Sequence, residues 1–436
     1  MRRFVFIAFL LISSGSLWAQ TSVDPETVLA RAKNRILADL DRIPRYTCVK
    51  NITRNRYAPP GQWHKPVSCT EARSAHDKQS GRPVLESWDR LRLDVAVDEH
   101  GEIYAWAGAP KFDENVLRQI EANGAMGTGD FGPFMGAILH HATIKFSGEH
   151  TIRGRQVFEY SYDVAQDVSR YIVRAIGDKE FFTAYSGTFL LDRDEPDLVE
   201  LTVRTQDLPP EAGACQVVNE VEYDRIRIHE TDTLVPRESR LIAVGDQGQE
   251  MQNLATYDNC REYGSKTVIR FDAPEAVQPG DRRTQAAPVA FPPGLSFEWR
   301  IVSVIDSATV AAGDRIEAVL RSPIRDDKGK LLAPPGTPIH GRAIYFGKSG
   351  NWFSLIVSFE SIDVNGSTVP FVASLASDRP SRIHLHLAKA DELFSFPASV
   401  SFTGSHPPPS QLESSGRTAL PHDSKKPLIE KGPGVN

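Results

Sequence analysis

Two histidines one residue apart, His384 and His386 in Ile383-His-Leu-His-Leu387, form the clearest pair of metal-ligand side chains in this 436-residue chain. On a strand, residues two apart face the same way, so both imidazoles could reach one ion. Asp391 and Glu392 are the nearest carboxylates that could complete the site, and a metal-dependent hydrolase is the activity it would support. A solvated strand face explains the pair more simply, so no metal and no other cofactor is assigned. His140 and His141 are adjacent, and on a helix they point about 100 degrees apart, too far to share an ion. Asp192 and Asp194 could serve as paired carboxylates, but they fall in a hairpin turn, where solvation is the default. The nucleophile turn Gly-x-Ser-x-Gly does not occur. Gly124, Gly127, Gly129, Gly132 and Gly136 lack the strand before and helix after that a phosphate loop needs, and read as loop and cap positions. With no nucleophile, base and orienter to assemble, the expectation is a protein that is not an enzyme.

Cys48, Cys69, Cys215 and Cys260 are the remaining reactive side chains. They show no Cys-x-x-Cys spacing, which argues for two disulfides over a metal site. Pairing neighbours in sequence gives Cys48 with Cys69 and Cys215 with Cys260. Disulfides need an oxidising compartment, and the N-terminus supplies the route to one. Arg2 and Arg3 precede the apolar run Phe4 to Ile12, and small residues lead to Ala19, the layout of a signal peptide spanning residues 1–19. That run is far short of the roughly 20 residues that span a bilayer, and no later stretch is long and apolar enough. The expected location is therefore periplasm, outer envelope or exterior, with no transmembrane span once the signal is cleaved. A net charge of -6 with interspersed signs leaves no basic stripe for nucleic acid.

The elements that would position these groups are mostly strands. Asp24 as N-cap and Pro25 at the first helical position open an amphipathic helix with Val28, Leu29, Ala32, Ile36, Leu40 and Ile43 on one stripe, and Pro44 ends it. From Tyr46 to Phe271 the period changes to two. Leu91–Val97 pairs with Glu102–Trp106, and Phe182–Leu191 with Leu198–Val203, as hairpins; Val217–Ile228, Arg240–Val244 and Lys266–Phe271 follow as strands. One helical interlude, Asp113 to His141, interrupts them. Residues 272–293, rich in Pro, Ala and Gln, read as a linker, and 294–402 as a second strand-rich module, a small barrel or sandwich. The Pro-, Ser- and Lys-rich tail, 403–436, is expected to be disordered. The fold class is mostly β with some α: a large curved antiparallel sheet with a helical plug, then a small β-domain.

The order of one helix, long antiparallel sheet and helical plug over residues 20–271, with the hairpin Leu190-Leu-Asp-Arg-Asp-Glu-Pro-Asp-Leu-Val-Glu-Leu201, resembles the LolA-like periplasmic carriers and sensors. That resemblance implies a half-barrel whose sheet, loosely covered by the plug, binds an apolar ligand, a lipid or a lipidated partner. Tyr104 and Trp106 on a strand, with Phe131, Phe134, Met135, Ile138 and Leu139 on the plug, are the candidates to line it; completing a core is their simpler role. The stretches Ala312 to Ile324 and Leu332 to Arg342 resemble the periplasmic barrel of TrbI-like channel proteins. This second resemblance implies a docking or structural part in an envelope assembly.

Overall fold

The structure, a computed structural model, describes residues 23–42, 45–59, 68–77, 84–98, 101–112, 116–117, 120, 124, 126–127, 129–130, 133–169, 171–174, 179–206, 208–228, 230–246, 248–263, 291, 296–350, 352–371, 373–375, 398–402 and 418–421. The signal peptide, His384, His386, Phe131, the strand expected at Lys266–Phe271 and all of the linker but Phe291 lie outside these residues.

Helix α1 (Pro25–Leu40) begins where the sequence signals it: the Asp24 carboxylate accepts from the Thr27 amide at 3.1 Å, satisfying one donor of the first turn. Its buried residues Val28, Ala32 and Ile36 recur every four positions and face the sheet. The strands that follow are β1 (Tyr46–Tyr57), β2 (Leu85–Asp98), β3 (Gly101–Trp106), β4 (Thr143–Ile152) and β5 (Arg155–Val164), then β6 (Ile172–Arg174), β7 (Glu180–Phe182), β8 (Tyr185–Asp192) and β9 (Leu198–Thr205), and finally the long β10 (Ala214–Ile228), β11 (Thr231–Gly245) and β12 (Glu250–Glu262). Antiparallel pairing runs β4-β5-β8-β9-β10-β11-β12-β1-β2-β3, so the first strand of the chain lies beside the twelfth. β6 and β7 make a separate two-stranded ribbon.

That return of β1 to β12 changes the disulfides. The bonds are Cys48–Cys260, joining neighbouring strands with Cα atoms 4.0 Å apart, and Cys69–Cys215, joining helix α2 (Cys69–Asp77) to β10 with Cα atoms 5.0 Å apart. The expected local pairs Cys48–Cys69 and Cys215–Cys260 are not formed. Adjacency in sequence misled here because the sheet order brings together residues 212 apart. None of the four cysteines is free.

After residue 291 come β13 (Ser296–Ile301), β14 (Arg315–Leu320), β15 (Ile324–Arg325), β16 (Leu331–Ala333), β17 (Pro338–Ser349), β18 (Trp352–Val364), β19 (Ser367–Pro370), β20 (Ala373–Leu375), β21 (Ala398–Phe402) and β22 (Thr418–Pro421). Asn365 and Gly366, both at positive φ, make the two-residue turn between β18 and β19, as the Asn-Gly pair demands. Pairing runs β20-β21-β13-β14-β17-β18-β19, and among the described residues the ring does not close into a barrel. β22 pairs with β18, so the tail expected to lack structure contributes one strand where a free edge offers backbone partners.

The two sheet segments are continuous. β17 pairs with β2 through Gly347–Ser349 and Asp89–Ser87, and Ala312 forms a parallel bridge with Leu91. Gly313 sits at φ +107° where a Cβ would lie 2.1 Å from the Arg92 carbonyl, so this close approach of backbones excludes any side chain. Separate apolar clusters lie under α1, beneath β1 and β2, and among the strands after residue 291.

Candidate functional site

Strand alternation places Cys48, Lys50, Ile52 and Arg54 on one face of β1, and all four are buried. Two full positive charges therefore point into the protein, and each is met by chain from the interlude between β3 and β4. Lys50 Nζ donates to the Gly127 carbonyl at 2.8 Å and pairs with Asp130 at 3.0 Å. The Asp130 carboxylate also accepts from Asn219 Nδ2 at 2.9 Å, Ser239 Oγ at 3.1 Å and the Tyr257 hydroxyl, while the Tyr223 hydroxyl donates to its backbone carbonyl at 2.8 Å. Burial alone would raise the Asp130 carboxyl; the Lys50 charge and the bonds from Tyr257, Asn219 and Lys50 outweigh it and hold it below the usual aspartate range. Glu102, which accepts from the Tyr104 hydroxyl, moves the opposite way: lost hydration raises it, Lys50 opposes, and Asp130 adds to the rise.

Arg54 makes a bidentate pair with Asp89, both contacts at 2.7 Å, and its Nη1 donates to the carbonyls of Ile120 and Gly124 at 2.9 Å. Among the described residues of the plug, the carbonyls of Ile120, Gly124 and Gly127 thus accept from β1 side chains.

Beyond these ties the plug ends in α3 (Pro133–His141), which packs on α1. Met135, Ile138 and Leu139 are buried with Val28, Ala32 and Ile36, and Phe134 stacks on Tyr171 with ring centroids 5.2 Å apart. Between α1, α3 and the sheet remains a pocket of about 40 Å³, walled by Ile36, Leu40, Met135, Leu198, Tyr223 and Leu234, with Asp39 and Thr231 to Thr233 on its polar side. At roughly 10–15 Å³ per probe-sized site, it has room for a few water molecules or a short length of alkyl chain. Arg225 clamps its rim: it contacts Asp197 of the β8–β9 turn at 2.6 and 3.0 Å, Asp39 of α1 at 2.5 Å and the Asp232 carbonyl at 2.8 Å.

No protein-family model matches the chain, and no curated protein matches it significantly. Among solved structures it is similar to a DUF1329 family protein from Desulfovibrio piger, at 10% identity and a TM-score of 0.25, over 56% of this chain and 95% of that one. It is also similar to the LolA superfamily protein NE2245 from Nitrosomonas europaea, at 9% identity and a TM-score of 0.23, over 53% of this chain and 94% of that one. A chain of the Pseudomonas aeruginosa MucA/MucB complex aligns at 13% identity and a TM-score of 0.16, over 90% of this chain and 100% of that one. Superpositions this loose carry no function to individual residues.

The candidate ligand residues separate into two groups. Met135 lines the pocket, and Phe134, Ile138 and Leu139 close the core around it. Tyr104 and Trp106 belong to a different cluster, with Leu91, Leu93 and Ile120, and do not reach the pocket. Asp192 caps its own turn by accepting from the amides of Asp194 and Glu195, and His140 and His141 lie exposed with ring centroids 6.0 Å apart. Among the described residues no group of three His, Cys, Asp or Glu could hold a metal ion, and no helix is long and apolar enough to cross a membrane. Lys50, Arg54, Asp130 and Arg225 were not expected. Lys50 and Arg54 do carry a sequence signal, charged residues in phase with Cys48 and Ile52 on a strand otherwise buried on that face.

Proposed function

We propose that this chain is an exported, non-enzymatic envelope protein that takes an apolar chain, from a lipid or a lipidated partner, between α1, α3 and the sheet, with the strands after residue 291 as a docking module. The pocket under the Arg225 clamp is the observation that carries this reading: its walls are apolar and its rim is polar, the arrangement that seats an acyl chain and leaves a headgroup in water. Of the elements around it, Arg225 of β10 ties α1 through Asp39, the β8–β9 turn through Asp197 and the start of β11 through the Asp232 carbonyl. The LolA-like resemblance of element order points the same way.

The test is to extract protein purified without detergent into organic solvent, identify lipids by mass spectrometry, and titrate the delipidated protein with a fluorescent fatty acid. Saturable binding is expected, and Leu234→Trp, which fills the mouth from a partly buried position, should weaken it tenfold or more. Protein that carries no lipid and binds no fatty acid would overturn the reading. Metal-dependent hydrolysis in the absence of lipid binding would favour the alternative built on His384 and His386.

A further inference from the structure

A second, larger cavity of about 250 Å³ lies where the two sheet segments meet, and it shares no residue with the apolar pocket. We propose that it is a binding site for a neutral saccharide. The strand register sets which side chains share its face, since residues directly opposite each other point the same way. Arg54 of β1 lies opposite Asp89 of β2, Asp89 opposite Gly347 of β17, and Gly347 opposite Ser354 of β18; two residues along, Arg56, Ser87 and Ser349 form a second row. All of these but Gly347 line the cavity. Gly347 shapes it by having no side chain. A Cβ there would lie 2.7 Å from the Tyr345 hydroxyl oxygen and 3.0 Å from its Cζ, so the phenol of Tyr345, two residues back on the same face, lies across the bare backbone and walls the cavity. Ile356, opposite Tyr345 in the register, extends that apolar surface.

Charge, hydrogen-bonding capacity and backbone pairing together set the ligand class. Arg54 is taken up by Asp89 and by the carbonyls of Ile120 and Gly124, and Arg56 is likewise engaged, so none of the charged side chains in the lining is left over for an ionic ligand. The hydroxyls of Ser87, Ser349 and Ser354 make no side-chain hydrogen bond among the described residues, and each offers one donor and two acceptor lone pairs. An anion would use only the donors and a cation only the acceptors, whereas a sugar hydroxyl uses both. The backbone is already paired: Ser87 has β1 on one side and β17 on the other, and Ser354 has β17 and β22. No sheet edge there takes up an extended peptide, and recognition falls to side chains. A pyranose ring matches what remains, with hydroxyls on its rim for the serines and an apolar C–H face for the Tyr345 ring. At roughly 10–15 Å³ per water-sized site the cavity has room on the order of twenty waters, enough for one such ring and part of a second.

Free oligosaccharides and membrane-borne glycan headgroups share this chemistry, and titrations of the intact, disulfide-bonded chain tell them apart. Calorimetry with cellotriose, maltotriose and diacetylchitobiose reads the soluble source, with trigalacturonic acid as the anionic comparison. Co-sedimentation with phosphatidylcholine vesicles, with and without digalactosyldiacylglycerol, reads the headgroup. Saturable binding to at least one neutral probe is expected, weakened tenfold or more by Tyr345→Ala and by Ser87→Ala combined with Ser349→Ala, and retained by Tyr345→Phe. Ser349 is exposed and Ser87 half-buried, so the paired serine substitutions leave folding intact, which circular dichroism verifies. Absence of saturable binding to every neutral probe, binding of trigalacturonic acid alone, or neutral binding undiminished in both Tyr345→Ala and the serine pair would overturn the proposal.

Discussion

Lys50 is 1% exposed and makes its charge tolerable by sitting 3.0 Å from Asp130. Breaking a buried pair by removing one partner costs about 3–5 kcal/mol, because the other charge is stranded. Lys50→Met should lower stability by that amount in urea unfolding. A hydrophobic replacement of both partners often restores stability elsewhere, yet here Lys50→Met with Asp130→Leu should not: Asn219, Ser239 and Tyr257 would each lose an acceptor, at about 1–3 kcal/mol apiece. A double variant as stable as the parent would refute this account. His340 on β17 provides a pH-dependent counterpart. Burial alone would lower its pKa, but bonds to Asp363 at 3.0 Å and Glu317 at 2.5 Å outweigh it and the net shift is upward. The protonated form is therefore favoured by folding. Its contribution is complete below the unfolded value of about 6.5 and disappears as pH rises through the folded one. Thermal unfolding at about pH 6 and about pH 8.5 should show a loss of stability with pH that shrinks in His340→Gln.

At the scale of elements, the disulfides distinguish the sheet order from every local arrangement. Non-reducing peptide mapping should recover Cys48 linked to Cys260 and Cys69 linked to Cys215; a Cys48–Cys69 peptide would contradict the pairing of β1 with β12. With separations of 212 and 146 residues, each bond restricts the unfolded chain by about 5 kcal/mol on the loop-entropy model. Hairpins were legible in the sequence, since β2 with β3 and β8 with β9 are set by alternation and by the turn between them. The α1 N-terminus was legible for the same local reason. The pairing of β1 with β12 was not, because nothing within either strand names a partner two hundred residues away. Helix α2 had a readable start that alternation overshadowed: Ser68 and Glu71 form a capping box, with Ser68 N to Glu71 Oε2 at 2.9 Å and Glu71 N to Ser68 Oγ at 3.3 Å. The pocket was half legible. Met135 was marked by its apolar helix, whereas Asp39 of α1, Asp197 of the β8–β9 turn and Arg225 of β10 come together only through tertiary contacts.

For the whole molecule, the question is whether the strands after residue 291 behave as an appendage or as part of one cooperative unit. The composition of 272–293 suggests a tether, but the contacts across the junction are those of a shared interior. Arg92 pairs with Asp314 and donates to the Thr309 carbonyl at 3.1 Å, while backbone bonds link Arg92 to Ala312 at 2.7 Å and Ala312 to Arg90 at 2.9 Å. Arg342, 3% exposed, donates to the carbonyls of Ala107 at 2.6 Å and Gly313 at 2.5 Å, with Glu360 at 3.1 Å as its counter-charge. It is the most buried of the arginines that cross the seam, beside Arg92, Arg90, which donates to the Ser307 carbonyl, and Arg315, which donates to that of Gly108. Arg342→Met keeps the apolar stem but leaves the buried Gly313 carbonyl and the half-buried Ala107 carbonyl without this donor, at about 1–3 kcal/mol for the buried one. Calorimetry of the parent should show one transition covering both sheet segments. In Arg342→Met that transition should split, with the strands after residue 291 melting first, because their cluster under Trp299 and Phe346 then stands without its tie to Ala107, just after β3. Two transitions already present in the parent, or a single one retained in the variant at reduced temperature, would each show that the seam does not couple the halves in this way.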